Sequence, residues 1–254
     1  MSADRNAFSD DAVLGGRLVL RQPLRGHRVG HDAILLAAAT AAVSGDCAVD
    51  LGAGVGAAGL ALARRVDGLA VTLVEIDQEL VALAHGNVER NGLAERARAV
   101  CLDVGGPAAA FAAAGLIPGA VDCVLMNPPF NEPHNASPDA ARRRAHAGTP
   151  ATLPRWVTVA ARLLRDQGAL TLMWRADGLR DVLDALADGF GAVSLLPIYP
   201  KPQAPAVRII ARAVKGSRAP LTLRPGLLLA DATGHPTREA EAALRDGAVL
   251  SFSL

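Results

Sequence analysis

Residues 127–130 read Asn-Pro-Pro-Phe and follow the apolar run Val121-Asp122-Cys123-Val124-Leu125-Met126. An Asn side chain offers both a carbonyl acceptor and an amide donor. Two prolines lock the backbone behind it, and an aromatic face comes next. At the tip of a strand, such a set can hold a planar amino group by hydrogen bonds while its ring stacks on the aromatic. The chemistry this suits is reaction at an exocyclic amine of a base, or at an amide nitrogen. A Pro-rich turn that merely ends a buried strand would show the same four residues, since Asn-Pro is a common turn opener.

A second motif bears on that choice. Residues 48–56 read Ala-Val-Asp-Leu-Gly-Ala-Gly-Val-Gly. A short apolar strand runs into Gly52, Gly54 and Gly56, and an Ala/Leu-rich helix follows from about Ala57. Glycines let a backbone turn sharply and approach a ligand closely. The spacing is not the dinucleotide Gly-x-Gly-x-x-Gly, although Gly59 stands where a later glycine would sit. Glu75 ends the next strand-like run, Ala70 to Val74, about where a carboxylate meets ribose hydroxyls in nucleotide-binding sheets. Asp103 follows a third run, Arg98 to Leu102. Either acid alone reads as a helix cap or first-turn residue. The ordered set, with a glycine turn at its head, outlines a ligand crevice.

Composition bounds the partners. Lys and Arg number 26 against 25 Asp and Glu, a formal charge of +1, so there is no global basic field for nucleic acid. Any such attraction must be local. Aromatics make up 3% of the chain, so the core must be aliphatic. Cys47, Cys101 and Cys123 have neither zinc nor redox spacing and read as buried thiols. The start, Met-Ser-Ala-Asp-Arg-Asn, lacks the apolar core of a signal peptide. Ile34 to Val43 is apolar but too short to span a bilayer. The expectation is a cytoplasmic enzyme without a membrane segment.

The elements that would position these motifs alternate. Strands are expected at 47–51, 70–75, 98–103, 121–126 and 169–174. Helices are expected at 32–43, 56–66, 78–90, 107–115, 152–165 and 178–188. That rhythm argues for an α/β fold with a parallel sheet covered on both faces. Asn91-Gly92 would stop the third helix. Residues 127–150 form a long loop, which in a compact domain is usually functional or disordered. Ala192 to Tyr199 and Ala206 to Val214 read as an antiparallel pair completing the sheet. Leu221 to Leu229, broken by Pro225-Gly226, reads as strand or extended cover, and a helix follows from about Thr237. Residues 1–45 read as an N-terminal cover segment packed on a catalytic domain of residues 46–254, one structural domain overall.

The glycine turn, Glu75, Asp103 and Asn-Pro-Pro-Phe, in that order, resemble class I S-adenosylmethionine-dependent methyltransferases of the amino-methylating group. Gly-x-Leu-x-Leu-x-Gln-Pro at 16–23 and Gly30-His31-Asp32-Ala33-Ile34-Leu35-Leu36-Ala37 are similar to the bacterial tRNA(Val) N6-adenine methyltransferase family, which modifies the adenine beside the anticodon. The resemblance implies a Rossmann-like, mostly parallel seven-stranded sheet with an antiparallel C-terminal strand. It implies S-adenosyl-L-methionine as cofactor and RNA, a tRNA, as partner. Families sharing the tetrapeptide also methylate guanine N2 in ribosomal RNA or a glutamine side chain in peptide release factors. Many relatives carry Tyr where this chain has Phe130, a change that keeps stacking and loses a hydroxyl.

Roles follow from that resemblance. The carbonyls of Asn127 and Pro128 would accept the two N–H bonds of the acceptor amine, and Phe130 would stack on its base. Gly52, Ala53 and Gly54 would approach the methionine part of the cofactor. Asp50 would orient the turn or the amino group, Glu75 would take the ribose hydroxyls, and Asp103 would accept from the adenine amino group. Gly30 and Asp32 would close the pocket from the N-terminal side, unless Asp32 is simply a helix cap. Arg142, Arg143 and Arg144, with His146, would grip RNA phosphates, or form a solvated helix start. Lys201, Arg208, Arg212, Lys215 and Arg218 are a looser basic set. His134 and His146 lack metal-ligand spacing, so no metal is expected. A non-catalytic Rossmann-like binding module would not need Asn127 and Phe130 beside an intact glycine turn.

Overall fold

The computed structural model describes residues 8–24, 28–129 and 152–252. Phe130, Arg142, Arg143, Arg144 and both histidines of the long loop lie outside them. The expected alternation is present. Strands β1 (Phe8–Val13) and β2 (Leu18–Pro23) precede α1 (His31–Ala39), β3 (Cys47–Leu51), α2 (Ala57–Arg65), β4 (Ala70–Glu75) and α3 (Gln78–Arg90). Then come β5 (Ala97–Cys101), α4 (Ala108–Ala113), β6 (Val121–Met126), α5 (Thr152–Leu163) and β7 (Leu164–Arg175). The chain finishes with α6 (Leu179–Leu186), β8 (Phe190–Tyr199), β9 (Arg208–Lys215), β10 (Thr222–Leu223), β11 (Leu227–Leu228) and α7 (Arg238–Asp246).

The main sheet runs β10-β8-β9-β7-β6-β3-β4-β5, with β11 also paired to β8. All neighbours are parallel except β9, which is antiparallel to both β7 and β8. The seven long strands thus have the expected Rossmann-like arrangement. Two two-residue strands flanking Pro225-Gly226 extend the sheet to nine. From β3 the chain winds one way through β4 and β5 and the other way through β6 and β7. The switch point therefore lies between β3 and β6, where open α/β sheets bind ligands beyond the carboxyl ends of their strands.

Strand alternation divides the core in two. Ala48, Leu73, Cys123 and Leu125 face the layer of α1, α2, α3 and α7. Val49, Leu51, Val124 and Met126 face α4, α5 and α6. From Ile34 onward helix α1 is apolar on every side, because it is enclosed by neighbouring helices and the sheet. It ends at Ala39 rather than Val43. Thr40 is extended, its Oγ1 donates to the Leu36 carbonyl at 2.8 Å, and the Arg65 guanidinium takes the Ala37 and Thr40 carbonyls.

That use of arginine recurs. Arg96 donates to Ala63 and Val66 carbonyls at the end of α2, Arg64 to Asn91 after α3, and Arg98 to Ala114 after α4. Lys215 donates to Leu164 after α5, and Arg17 to Arg245 in α7. Cations at helix C-termini answer unpaired carbonyls and the helix dipole together. Six of the described cations are therefore committed at the sheet end remote from the switch point.

The N-terminal hairpin is held by two amides. Asn87 in α3 and Asn91 at its C-cap, one turn on, each accept from and donate to the backbone of β2, at Arg21 and Val19 respectively, with distances of 2.7–3.0 Å. Asn87 also donates to the Val55 carbonyl at 3.0 Å. Hairpin, α3 and glycine turn are thus joined through one buried side chain. Buried Gln22 accepts from Val29 N–H at 2.8 Å and fixes the approach to Gly30.

Candidate active site

The register of the sheet assembles the site. Leu51 pairs with Val74 on one side and Met126 on the other, while Glu75 pairs with Cys101. The rim beyond the strands therefore carries, in lateral order, Asp103, Glu75, Gly52 and Asn127. Adjacent strands lie about 4.8 Å apart, so Asn127 stands roughly 10 Å from Glu75 along this edge.

Gly52, Gly54 and Gly56 all have left-handed backbones, at φ +72°, +57° and +91°. Their surroundings differ. A Cβ on Gly54 would meet nothing within 4 Å, so this residue faces the open crevice. One on Gly56 would lie 2.9 Å from Leu73, and one on Gly59 2.4 Å from the same side chain. These two glycines let α2 lie close on the sheet. One on Gly52 would run into the ring of Trp156 in α5.

Glu75 is buried and accepts from three backbone N–H groups. Its Oε2 accepts from Gly54 N–H at 2.8 Å, and its Oε1 from Ile76 and Asp77 N–H at 2.8 and 2.9 Å. The cap of α3 is Asp77, which accepts from Glu79 and Leu80 N–H. Glu75 is therefore aimed at the glycine turn instead of its own helix. Beneath the turn, buried Asp50 accepts from Gly59 N–H at 2.8 Å. Burial pushes its carboxyl up to about 7; the Gly59 bond opposes this and the Glu75 charge adds to it. Asp103 is exposed, and its Oδ1 accepts from Gly105 N–H at 2.7 Å.

Asn127 follows β6 directly. Its Oδ1 is buried and accepts no hydrogen bond among the described residues. Buried polar atoms are almost always paired, so this acceptor at a strand end is open to a donor from outside the described residues. Pro128 is buried behind it and Pro129 is exposed.

Two expectations need revision. Asp32 lies in the first turn of α1 but makes no capping bond; the cap position is Gly30, in extended conformation. The Asp32 carboxylate instead receives the Arg208 guanidinium at 2.9 Å, across the rim from β9. Cys47 and Cys101 are exposed, because each sits at a strand end; only Cys123 is buried. Three rim residues escaped the sequence reading. Ile76, 41% exposed, stands beside Glu75. Arg155 and Trp156 reach the loops after β5 and β3 from α5. Only the exposed apolar residue after a strand-ending acid left a local signal.

Among the described residues no group of three His, Cys, Asp or Glu could hold a metal, and no helix is long and apolar enough to cross a membrane. The model of the methyltransferase small domain matches residues 30–201. A release factor glutamine methyltransferase from Chlorobaculum tepidum is 30% identical over 161 residues, 60% of this chain and 53% of that protein. A tRNA1(Val) (adenine(37)-N6)-methyltransferase from Serratia proteamaculans is 29% identical over 147 residues, 58% of this chain and 54% of that protein. The matches thus span about half the length of these relatives. One from Bacteroides fragilis with the same description is 27% identical over 188 residues, 72% of this chain and 75% of that protein. Among solved structures, a predicted O-methyltransferase from Agrobacterium tumefaciens superposes with a TM-score of 0.73 at 29% identity, covering 88% of this chain and all of that one. The chain belongs to the methyltransferase small domain family and has the Rossmann-like fold of S-adenosylmethionine-dependent methyltransferases.

Proposed function

We propose that the protein transfers a methyl group from S-adenosylmethionine to the exocyclic amino group of an adenine in RNA, a tRNA near its anticodon. The observation that carries this reading is the buried, unpaired Oδ1 of Asn127 at the switch point of the sheet. An adenine amine is a poor nucleophile, because its lone pair is delocalised into the ring. It needs acceptors for its N–H bonds that strengthen as positive charge develops on nitrogen. Asn127 Oδ1 supplies one and the Pro128 carbonyl the other. Phe130 would stack on the base, a contact worth about 1–3 kcal/mol. A base within a helix would not reach such a rim, so the acceptor is a loop nucleotide or a flipped one.

The rim fits the cofactor. Gly52, Ala53 and the open flank of Gly54 would lie along its methionine part, with Asp50 holding the turn from below. Glu75 would take ribose hydroxyls on lone pairs left by its backbone donors, and exposed Asp103 would face the adenine amine. Gly30 and Asp32 would bound the N-terminal side, Asp32 as the partner of Arg208. The cofactor supplies an already activated sulfonium methyl, so the protein's task is alignment at near-attack distance.

The Chlorobaculum relative supports a second reading, methylation of a glutamine amide in a protein, since an amide also presents two N–H bonds to Asn127. A methyl-transfer assay with total tRNA, ribosomal RNA and release factor as separate acceptors, followed by nucleoside analysis, decides between them. N6-methyladenosine in tRNA alone is the expected product. Label in release factor would replace the RNA reading, and N2-methylguanosine in ribosomal RNA would move the acceptor.

A further inference from the structure

Consecutive residues of α5 reach two loops of the cofactor rim. Trp156 is one of two tryptophans in the chain and is partly exposed, whereas Trp174 is buried. A Cβ built on Gly52 would lie 2.4 Å from Cη2 and 2.8 Å from Cζ3 of Trp156, so the indole edge rests against the first glycine of the turn. Arg155 donates to the Gly105 carbonyl, and a Cβ on Gly105 would lie 2.5 Å from its Cζ. Gly105 N–H in turn holds Asp103 at 2.7 Å.

The physical need is clear at the turn. Three left-handed glycines in five residues make a flexible backbone. The N–H groups of Gly52 and Ala53 both go to the Val74 carbonyl, and that of Gly54 to Glu75. These bonds hold the turn from the β4 side. Trp156 holds it from the α5 face, and Arg155 does the same for the loop that carries Asp103.

We infer that Trp156 and Arg155 are positioning residues for S-adenosylmethionine. Trp156 sets the glycine turn at the methionine end of the crevice, and Arg155 sets the Asp103 loop at the adenine end. The inference rests on the cofactor reading above. It makes α5, the helix entered after the acceptor motif, a wall of the cofactor crevice as well as a core element.

The test is titration with S-adenosylhomocysteine, read by calorimetry and by tryptophan emission. The wild-type and Trp174→Phe proteins should change emission on binding, and Trp156→Phe should not. Trp156→Ala should raise Kd about tenfold, and Trp156→Phe, which restores part of the ring contact, about threefold or less. Arg155→Ala should raise Kd severalfold, with kcat at saturating cofactor nearly unchanged. Binding seen by calorimetry without an emission change in the wild type, or with wild-type Kd in both alanine variants, would overturn the inference. Should Trp156→Ala fail to fold, the emission contrast between the two Phe variants and the Arg155→Ala affinity still decide. A wild-type protein that binds no S-adenosylhomocysteine would instead sink the cofactor reading.

Discussion

Gly52 and Asn127 leave the sheet side by side, because Leu51 and Met126 before them are partners in adjacent parallel strands. The turn proposed to hold the cofactor and the residue proposed to hold the acceptor are thus one strand spacing apart. A methyl donor lying along the turn would end beside the amine. This adjacency comes from topology: β3 and β6 are neighbours only because the winding reverses between them.

The first prediction separates the two halves of the rim. Asn127→Ala should lower kcat on the order of a hundredfold, as expected when one transition-state contact is lost. Its affinity for S-adenosylhomocysteine should stay at the parent value. Glu75→Ala should do the reverse, weakening the cofactor most, because it removes the proposed ribose acceptor and frees Gly54 N–H together. Calorimetry and single-turnover rates measure both. Equal losses in kcat and cofactor affinity for Asn127→Ala would make it a residue of the turn only.

Thiol labelling locates the crevice without any acceptor. Cys101 is exposed at the end of β5, beside Glu75, and its Sγ lies 3.5 Å from the Ile76 carbonyl. Cys47 is exposed at the opposite end of the sheet, at the start of β3. Cys123 is buried and its thiol is pushed up to about 12, mainly by that burial, so it should stay silent. Saturating S-adenosylhomocysteine should slow modification of Cys101 and leave Cys47 at its free rate. Peptide mass analysis reads both. Equal protection of the two would mean a global change, not a ligand at the rim.

How much of this was legible in the sequence depended on how local each cause was. The strands at 47–51, 70–75 and 121–126 are bounded as expected, since each is a short apolar run closed by glycine, acid or proline. β1 was missed, because Asp10 and Asp11 interrupt its apolar pattern. It is held by its pairing with β2 and by the ion pairs Arg21–Asp10 and Arg28–Asp11. Gly52, Glu75 and Asn127 stood out because the turn, the strand end and the tetrapeptide are each contiguous. The contacts of Trp156 with Gly52 and of Asp32 with Arg208 join residues far apart in sequence. No periodicity or spacing could announce them.

Asp50 makes stability depend on pH. Its folded carboxyl titrates at about 7 against 3.8 in the unfolded chain, raised chiefly by burial. Between these values the folded state keeps a proton that the unfolded chain releases. The stability this contributes is therefore full below the unfolded value, falls as pH rises, and is gone above the folded value. Asp50→Asn cannot ionise and still offers an oxygen to Gly59 N–H. It should be more stable than the parent near pH 8, by a few kcal/mol (about 4 from the full shift), and match it near pH 4. Thermal melts at both pH values test this. A gap independent of pH would mean that the carboxyl ionises in place at little cost.

The last prediction concerns the RNA grip. Many of the described cations are committed elsewhere. Arg64, Arg65, Arg96, Arg98 and Lys215 bind helix-terminal carbonyls, and Arg208 is paired with Asp32. If the acceptor is RNA, as proposed, a chain of formal charge +1 with these arginines spent internally needs a local source of phosphate contacts. Arg142, Arg143 and Arg144, in the segment that follows Asn127 in sequence, are the proposed one. Each phosphate contact releases counterions, so the log–log slope of RNA affinity against salt should fall by somewhat under one unit per arginine lost. Replacing all three by alanine should weaken tRNA binding, flatten that slope and leave cofactor affinity intact. Filter binding across a salt series measures it. An unchanged slope would assign the run to a solvated surface and move the grip to exposed cations such as Lys201 in the β8–β9 connection, on the carboxyl side of the sheet.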